Sequence, residues 1–282
     1  MRWDLRSKSL TTDVAGGDQR TILMGVLNLT PDSFSDGGTY LEHAAALDRA
    51  QQMVTEGADV IDVGGESTRP GADEVPIQEE LARVLPIVET LSADGIVVSI
   101  DTSKPEVARH ALESGAEIVN DVTGLRNPDM LSVLSETGPG VVVMHMQGDP
   151  SSMQQYPSYQ DVVGEVRDEL LQSAARAKSA GLLASQVFVD PGIGFGKTTQ
   201  HNWSLLAATD ILAATGYGVL IGVSRKRFLG ELLNEPDPAL RDDATAAAAV
   251  ACVLRGASAL RVHNVSLLRR AATVADAIVR AE

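Results

Sequence analysis

The chain has 282 residues, 44% of them hydrophobic and 4% aromatic, which fits one domain of about 250 residues with short extensions. Its net charge of −15 argues against nucleic acid as a partner, whereas a small anionic ligand held by local cations remains compatible. A single cysteine (Cys252), no signal-peptide pattern and no apolar run of ~20 residues favour a cytoplasmic protein without disulfides or a membrane span.

Short apolar runs alternate eight times with helical stretches along residues 21–282. The predicted strands cover 22–27, 59–63, 96–100, 117–119, 141–144, 187–189, 219–223 and 259–262. The predicted helices cover 41–56, 77–93, 105–114, 128–136, 161–180, 200–214, a bipartite 227–255, and 266–281. Alternating strands and helices predict a parallel sheet, and eight repeats predict an α/β fold of the (β/α)8 TIM-barrel type. Residues 1–20 are a polar N-terminal extension that either adds a strand or stays mobile.

Two connections are longer than a barrel requires, at 30–40 after the first strand and at 66–76 after the second. Both carry proline, glycine and hydroxyl residues, and loops of this length at the catalytic face usually cover or contact a ligand. The alternative is a pair of disordered surface loops. Phe34 in the first loop favours the functional interpretation, because an aromatic side chain is a poor choice for an idle solvent loop.

Polar residues end three of the interior strands: Asp101, Asn120 and Asp190. Each has an ordinary explanation as a helix cap, a strand-end amide or a turn residue. Together they suit a flat heterocycle with an amino group, a ring N–H and a carbonyl. Two buried carboxylates require a partner, and Lys226 is the expected counter-ion.

Cationic residues follow the last two strands, where barrels frequently bind phosphate. Arg261 and His263 are the candidates for that site, since arginine offers a rigid fork and histidine an additional donor. Arg225 and Arg227 are expected to be exposed residues at a helix start. His145 and His201 show no partner spacing typical of a metal cluster and are expected to be structural or solvated.

The segment GFGKT at 194–198 resembles the end of a phosphate-binding loop, but the first glycine of that motif would fall on Pro191. We therefore interpret Gly192, Gly194 and Gly196 as allowing the backbone to approach a flat ligand. Phe195 would form an apolar wall, and Lys197 would face solvent.

With these residues in place, the chain resembles the dihydropteroate synthase family. The resemblance runs from about Ile22 to the C-terminus, with one match at the end of each strand. The matching segments are GVLNLTPDSFSDGG (25–38), DVGGESTRPG (62–71), DT (101–102), NDV (120–122), MHMQG (144–148), DPGIGFGK (190–197), GVSRK (222–226) and RVH (261–263). Arg227 stands where many members of the family have serine, so a hydroxyl contact to p-aminobenzoate would be missing.

The resemblance implies that 6-hydroxymethyl-7,8-dihydropterin diphosphate is joined to p-aminobenzoate with release of diphosphate. It further implies small-molecule partners, a homodimer, Mg²⁺ as cofactor, and a site in three parts. The pterin site would comprise Asp101, Asn120, Met144, Asp190 and Lys226. The diphosphate site would comprise Asn28, Arg261 and His263, with Mg²⁺ at Asn28. The p-aminobenzoate site would comprise Phe34, Thr68, Arg69, Pro70, Phe195 and Lys226.

The resemblance assigns catalysis to Asp36, Arg69 and Lys226, with Asp36 stabilising a cation-like intermediate after diphosphate departs. Three other functions compete. A pterin-binding methyltransferase domain would share the interior residues but has less reason for the two loop motifs, and a catalytically silent relative would bind pterin alone. A sugar-phosphate aldolase would need a Schiff-base lysine on an interior strand, and the predicted strands contain none.

Overall fold

Eight parallel strands close into a barrel whose polar tips all point to one end. The computed structural model describes residues 1–14, 18–29, 38–67, 74–149 and 152–281. The barrel strands are β5 (Ile22–Asn28), β6 (Val60–Gly64), β7 (Val98–Asp101), β8 (Ile118–Asp121), β9 (Gly140–Met144), β10 (Val187–Asp190), β11 (Gly218–Ile221) and β12 (Ala259–Val262). They are preceded by β1 (Arg2–Asp4), β2 (Ser9–Thr11), β3 (Asp13–Val14) and β4 (Asp18–Gln19). The barrel confirms the predicted fold.

The helices pack outside the barrel in the predicted alternation. They are α1 (Gly38–Thr55), α2 (Ile77–Ala93), α3 (Pro105–Glu113), α4 (Pro128–Thr137), α5 (Val162–Ser179), α6 (Thr199–Ala207), α7 (Thr209–Ala213), α8 (Arg227–Leu233), α9 (Asp242–Val253) and α10 (Val265–Val279). The bipartite region is confirmed as α8 and α9, joined by a 3-10 turn. The single helix predicted over 200–214 is wrong, because Ala208 leaves helical geometry (φ −101°, ψ 23°) and separates α6 from α7. In the described part of the chain, no helix is both long enough and apolar enough to cross a membrane.

Strand register places the polar tips side by side. Asn28 pairs with Gly64, Gly64 with Asp101, and Asp101 with Asn120, so three polar tips lie on four consecutive strands, which make up half of the rim. The predicted strands mostly stop short of these residues, whereas the hydrogen-bonded ladder includes them. Arg261 pairs with Met24, four residues before Asn28 on β5, so its long side chain reaches up from deeper in the barrel. The register therefore builds one polar cluster at the mouth.

The N-terminal segment closes the opposite end of the barrel. β1 and β2 form an antiparallel hairpin, and Trp3 on β1 is 0% exposed. Its indole stacks on Phe188 of β10 with ring centroids 4.0 Å apart, and its Nε1 donates to the carbonyl of Gln186 at 3.0 Å. Phe188 belongs to an apolar cluster formed by the lower ends of the barrel strands. The hairpin thus adds strands, and its tryptophan seals the base of the barrel.

Candidate active site

A cavity of about 590 Å³ opens at the C-terminal ends of the barrel strands. Its lining includes all nine predicted site residues that the structure describes: Asn28, Asp101, Asn120, Met144, Asp190, Phe195, Lys226, Arg261 and His263. The five loop residues Phe34, Asp36, Thr68, Arg69 and Pro70 lie outside the described residues. The predicted convergence at one mouth is therefore confirmed for the residues on strand ends and on the loops after β10, β11 and β12.

The floor of this cavity is a network centred on Arg261. Its Nε donates to Asp62 Oδ2 and its Nη2 to Asp101 Oδ2, both at 2.6 Å. The amide of Asn120 also donates to Asp62 Oδ2, at 3.1 Å. Asp62 is 0% exposed and was missed by the sequence analysis. A carboxylate inside an otherwise apolar strand was the available signal, since such a group is costly unless it is paired.

Two carboxylate oxygens on this floor are unpaired. Oδ1 of Asp62 and Oδ1 of Asp101 are buried and accept no hydrogen bond from any residue that the structure describes. Burial, and after it the neighbouring Asp62, raises the pKa of Asp101 to about 7, although Arg261 acts in the opposite direction. Buried acceptors without donors are rare in native proteins and commonly mark a site completed by a ligand. The floor is therefore suited to a ligand that brings N–H groups.

Asp190 forms a second acidic point with a different counter-ion. Its Oδ1 accepts from the backbone N–H of Gly192 at 2.7 Å. Burial raises the pKa of Asp190, while the Gly192 hydrogen bond and then the charge of Lys226 lower it. The expectation that Lys226 neutralises both buried carboxylates is thus wrong for Asp101, which Arg261 holds from below. The reason is geometric, because Arg261 rises from inside the barrel whereas Lys226 follows β11 at the rim.

Lys226 and Phe195 form the upper wall. The Nζ of Lys226 lies 4.2 Å from the centroid of the Phe195 ring, which is a cation–π contact. Gly194 leaves room for this arrangement, since a Cβ there would stand 3.2 Å from Lys226 Cδ. A flat aromatic molecule entering the cavity would meet an apolar face and a cation together.

His263 is oriented by Ser224. The imidazole Nδ1 lies 2.9 Å from Ser224 Oγ, and the backbone N–H of His263 donates to the same hydroxyl at 3.2 Å. Burial and then Arg261 lower the pKa of His263 to about 3. The imidazole is therefore neutral near pH 7 and offers its Nε2 edge as a hydrogen-bonding group without a charge.

Lys197 was predicted to face solvent, and this is wrong. It is 3% exposed, and its Nζ lies 3.0 Å from His145 Nδ1 and 2.9 Å from the carbonyl oxygen of Phe195. Burial lowers its pKa to about 7, although Asp190 and Glu169 act against this. The sequence pattern gave no signal for a lysine turned inward after three glycines.

The glycines of this loop match the expectation only in part. A Cβ on Gly192 would overlap the carbonyl oxygen of His145, and one on Gly196 would stand 2.6 Å from that of Gln147. Both have positive φ values, of 65° and 60°. They therefore let the loop pack on the chain after β9. Gly192 and Gly194 also line the cavity, whereas Gly196 does not.

The two arginines beside Lys226 behave differently. Arg227 is 82% exposed and pairs with Glu231 at 3.1 Å, as expected for a residue at a helix start. Arg225 was predicted to be exposed as well, which is wrong. Its guanidinium forms two hydrogen bonds to Asp242, at 2.7 and 2.9 Å, so it fastens the loop after β11 to α9.

Lys104 holds both ends of the long loop after β6. Its Nζ donates to Glu66 Oε2 at 3.1 Å, to the Val75 carbonyl at 2.6 Å and to Glu80 Oε2 at 2.8 Å. The other oxygen of Glu66 accepts from the N–H of Val75 at 2.8 Å. The residues just before and after 67–74 are thereby fixed to each other and to α2.

Comparison with known proteins agrees with this geometry. Residues 24–263 match the family described as pterin binding enzyme. The dihydropteroate synthase of Escherichia coli K12 is 45% identical over 261 residues, covering 92% of each chain. The Xanthomonas albilineans dihydropteroate synthase structure with 4-aminobenzoic acid is 44% identical, with a TM-score of 0.90 over 98% of this chain and 97% of that one. The Burkholderia cenocepacia enzyme complexed with 7,8-dihydropteroate is 41% identical, with a TM-score of 0.88 over 99% and 97%. The chain therefore belongs to the dihydropteroate synthase family of pterin-binding enzymes.

Proposed function

We propose that this chain is a transferase that condenses 6-hydroxymethyl-7,8-dihydropterin diphosphate with p-aminobenzoate, forming 7,8-dihydropteroate and releasing diphosphate. The observation that carries the proposal is the cavity floor. Two orphaned carboxylate oxygens, on Asp62 and Asp101, lie beside the Asn120 amide at the mouth of a barrel. A relative with the same fold is known with 7,8-dihydropteroate bound, and the ring of that molecule brings the N–H groups that this floor lacks.

The pterin is held by Asp101, Asn120 and Asp190, with Met144 packed against the ring. Met144 is 5% exposed and lies next to Asp190 in the sheet register. Lys226 reaches this group from the rim, and its charge favours an ionised Asp190. The carboxylates accept hydrogen bonds from ring N–H groups, and the Asn120 amide both donates and accepts. The thioether of Met144 packs on the face of the flat ring.

The diphosphate is bound by Asn28, Arg261 and His263. Because Arg261 already faces two carboxylates, its charge is partly compensated before an anion arrives. The neutral imidazole of His263 donates from Nε2, while Nδ1 stays with Ser224. The guanidinium of Arg261 and the Nε2–H group of His263 thus lie on one side of the mouth, where both can donate to phosphate oxygens.

Mg²⁺ is the proposed cofactor, and Asn28 would hold it. The Oδ1 of Asn28 faces the backbone of Gly64. A Cβ on Gly64 would stand 3.7 Å from this oxygen, so the glycine leaves space beside it. Among the residues that the structure describes, no three histidine, cysteine or acidic side chains form a metal cage. Mg²⁺ usually keeps several waters and takes one or two protein oxygens beside phosphates, so a single amide oxygen fits it. When bound, the ion stabilises the negative charge of the leaving diphosphate.

p-Aminobenzoate is bound between Phe195, Lys226 and the loop residues Phe34, Thr68, Arg69 and Pro70. Phe195 and Lys226 already form an aromatic face with a cation over it. Lys104 fixes the ends of the segment that carries Thr68, Arg69 and Pro70. The absence of a hydroxyl at Arg227 leaves its backbone N–H, at the start of α8, as the remaining donor at that position.

The reaction breaks the bond between the pterin methylene carbon and the diphosphate oxygen and forms a bond from that carbon to the aniline nitrogen. The pterin ring supplies electrons as diphosphate leaves, which produces a cation-like intermediate. Arg261 and His263 stabilise the leaving group, and Asp36 stabilises the cation. Lys226 and Arg69 orient the two substrates, and the aniline nitrogen loses a proton after attack. Exclusion of water by the loops prevents capture of the intermediate as an alcohol.

Diphosphate release tests the proposal. Purified protein is given the dihydropterin diphosphate and Mg²⁺, with and without p-aminobenzoate, and the product is identified by mass spectrometry. We expect release that depends on p-aminobenzoate and yields dihydropteroate. Tight pterin binding without this dependence would instead indicate a silent relative or a pterin-dependent methyltransferase. Glu136→Gln, which alters an exposed ion pair with Arg109 between α4 and α3, is the control.

A homodimer in the cytoplasm completes the proposal. α9 and α10 pack against each other, and Val274 and Ile278 on α10 are 61% and 46% exposed, with Leu254 at the end of α9 40% exposed. Large apolar groups on adjacent helices are typical of a surface between subunits. Cys252 is buried, which suits a reducing compartment. Sedimentation of the wild type and of Val274→Glu tests the dimer, since a monomeric wild type would contradict it.

A further inference from the structure

Lys197 is a buried lysine in the lining of the cavity, and it has no part in the proposed reaction. Its Nζ lies within hydrogen-bond distance of His145 Nδ1 (3.0 Å) and the Phe195 carbonyl (2.9 Å), and 3.4 Å from the His145 carbonyl. An ammonium group only donates, so these three acceptors match its three N–H bonds. The lysine therefore joins the loop after β10 to the end of β9.

This arrangement fixes the tautomer of His145. Since Lys197 donates to Nδ1, the ring proton lies on Nε2, which is 3.2 Å from Glu169 Oε2 on α5. Glu169 in turn accepts from Arg126 at 2.6 Å. The hydrogen-bonded chain runs from the buried loop to the half-exposed surface of α5, and each member restricts the next.

The backbone of Phe195 is held on both sides by the same loop. Its N–H donates to Gly192 O at 3.0 Å, and its carbonyl accepts from Lys197. Gly192 and Gly196 pack closely on His145 and Gln147, so the loop has little room to shift as long as Lys197 holds it. The position of the Phe195 ring, and with it the contact to Lys226, depends on this anchoring.

We propose that Lys197 is a positioning residue that sets the Phe195 wall and so determines the affinity for the aromatic amine substrate. The inference rests on the proposed function, because it concerns the p-aminobenzoate part of that site. The role of Lys197 therefore differs from that of Asp101 and Asn120, which bind the pterin. Removal of the ammonium is expected to change aromatic amine binding far more than pterin binding.

The test compares Lys197→Met, Lys197→Gln and the wild type. Methionine keeps the length of the side chain but donates nothing, and we expect KM for p-aminobenzoate to rise about tenfold, which corresponds to about 1.4 kcal/mol of lost binding free energy. The dissociation constant for the pterin should change by less than about threefold, because Lys197 acts on Asp190 through its charge and as the smallest of the three cations there. Glutamine retains N–H donors and is expected to restore part of the affinity. Lys178→Met, at an exposed position on α5, is the control.

Each outcome bears on one of the two proposals. An inactive wild type would contradict the proposed function itself. An active wild type with an unchanged KM in folded Lys197→Met would overturn the positioning role, as would an equal loss for pterin and amine. If the methionine variant does not fold, Glu169→Ala loosens the same chain from its half-exposed end. A raised KM for p-aminobenzoate in that variant supports the inference, and an unchanged KM refutes it.

Discussion

Replacing Trp3 by alanine should destabilise the protein without changing its chemistry. Trp3 is fully buried, stacks on Phe188 at 4.0 Å and donates to Gln186 O at 3.0 Å, all at the end of the barrel opposite the cavity. An aromatic side chain buries ~200 Å², worth about 5 kcal/mol at ~25 cal/mol per Å². Measured substitutions of this kind cost about 3–5 kcal/mol. We therefore expect the free energy of unfolding to fall by about 4 kcal/mol.

The expected change in Tm follows from the size of the chain. An unfolding entropy of ~2.1 cal/mol/K per residue amounts to about 0.6 kcal/mol/K for this length, so ~4 kcal/mol lowers Tm by about 7 °C. Trp3→Phe keeps the stack but loses the indole N–H, so it should lose about 1–2 kcal/mol. Thermal unfolding followed by circular dichroism measures both variants. Turnover of the folded fraction should match the wild type, because the base of such a barrel contributes to stability whereas catalysis takes place at the opposite face.

Tyr156→Ala is the control, since that ring is 89% exposed and its removal should change stability by less than about 0.5 kcal/mol. A loss below about 1 kcal/mol for Trp3→Ala would show that the hairpin does not seal the barrel in solution. A large loss of turnover in the folded fraction would refute the separation of the two barrel ends.

Three further predictions concern the site. Asp190→Asn should weaken pterin binding by about 10- to 150-fold in calorimetry, the value of one charge-assisted hydrogen bond, whereas the exposed Asp129→Asn should leave it unchanged. Asp36→Ala should lower turnover much more than pterin binding, and unchanged turnover would remove Asp36 from the mechanism. His263 has a folded-state pKa of about 3, below the ~6.5 of an unfolded histidine, so the unfolded chain binds the extra proton and this stability is lost as pH falls. Between about pH 4 and pH 6, the unfolding free energy of the wild type should therefore rise with pH more steeply than that of His263→Asn, by about 1.4 kcal/mol per pH unit. Equal slopes for the two proteins would contradict a buried neutral imidazole.

The fold was predictable because its signal is repeated. Each apolar run ends in a polar residue and is followed by a helix, so an error at one boundary does not alter the topology. Strand ends were misplaced by one or two residues, because Asp101 and Asn120 look like loop residues in sequence but take part in the ladder. The break at Ala208 carries no glycine or proline, and for that reason the pattern alone did not reveal it.

The site was predictable where a side chain lies at a strand end and less so where tertiary contacts decide. Asp62 lies inside a strand, and its role depends on Arg261 and Asn120, which approach it from other strands. Lys197 follows three glycines and looks exposed, yet its partners His145 and Phe195 come together only when the loop packs on β9. Pairing between distant segments leaves no periodic trace in the sequence, which is why these two residues were misjudged or missed.

The sealed base of the barrel also affects the order in which the two substrates can bind. With Trp3 filling the lower end, a ligand at Asp101 and Asn120 must enter past the rim formed by Phe195 and Lys226. A molecule seated against that rim stands between the floor and solvent. Under the proposed assignment the pterin must therefore arrive before the aromatic amine, and the joined product must withdraw with its pterin end last. Excess p-aminobenzoate should accordingly slow pterin entry, a form of substrate inhibition that follows from a cavity closed at one end.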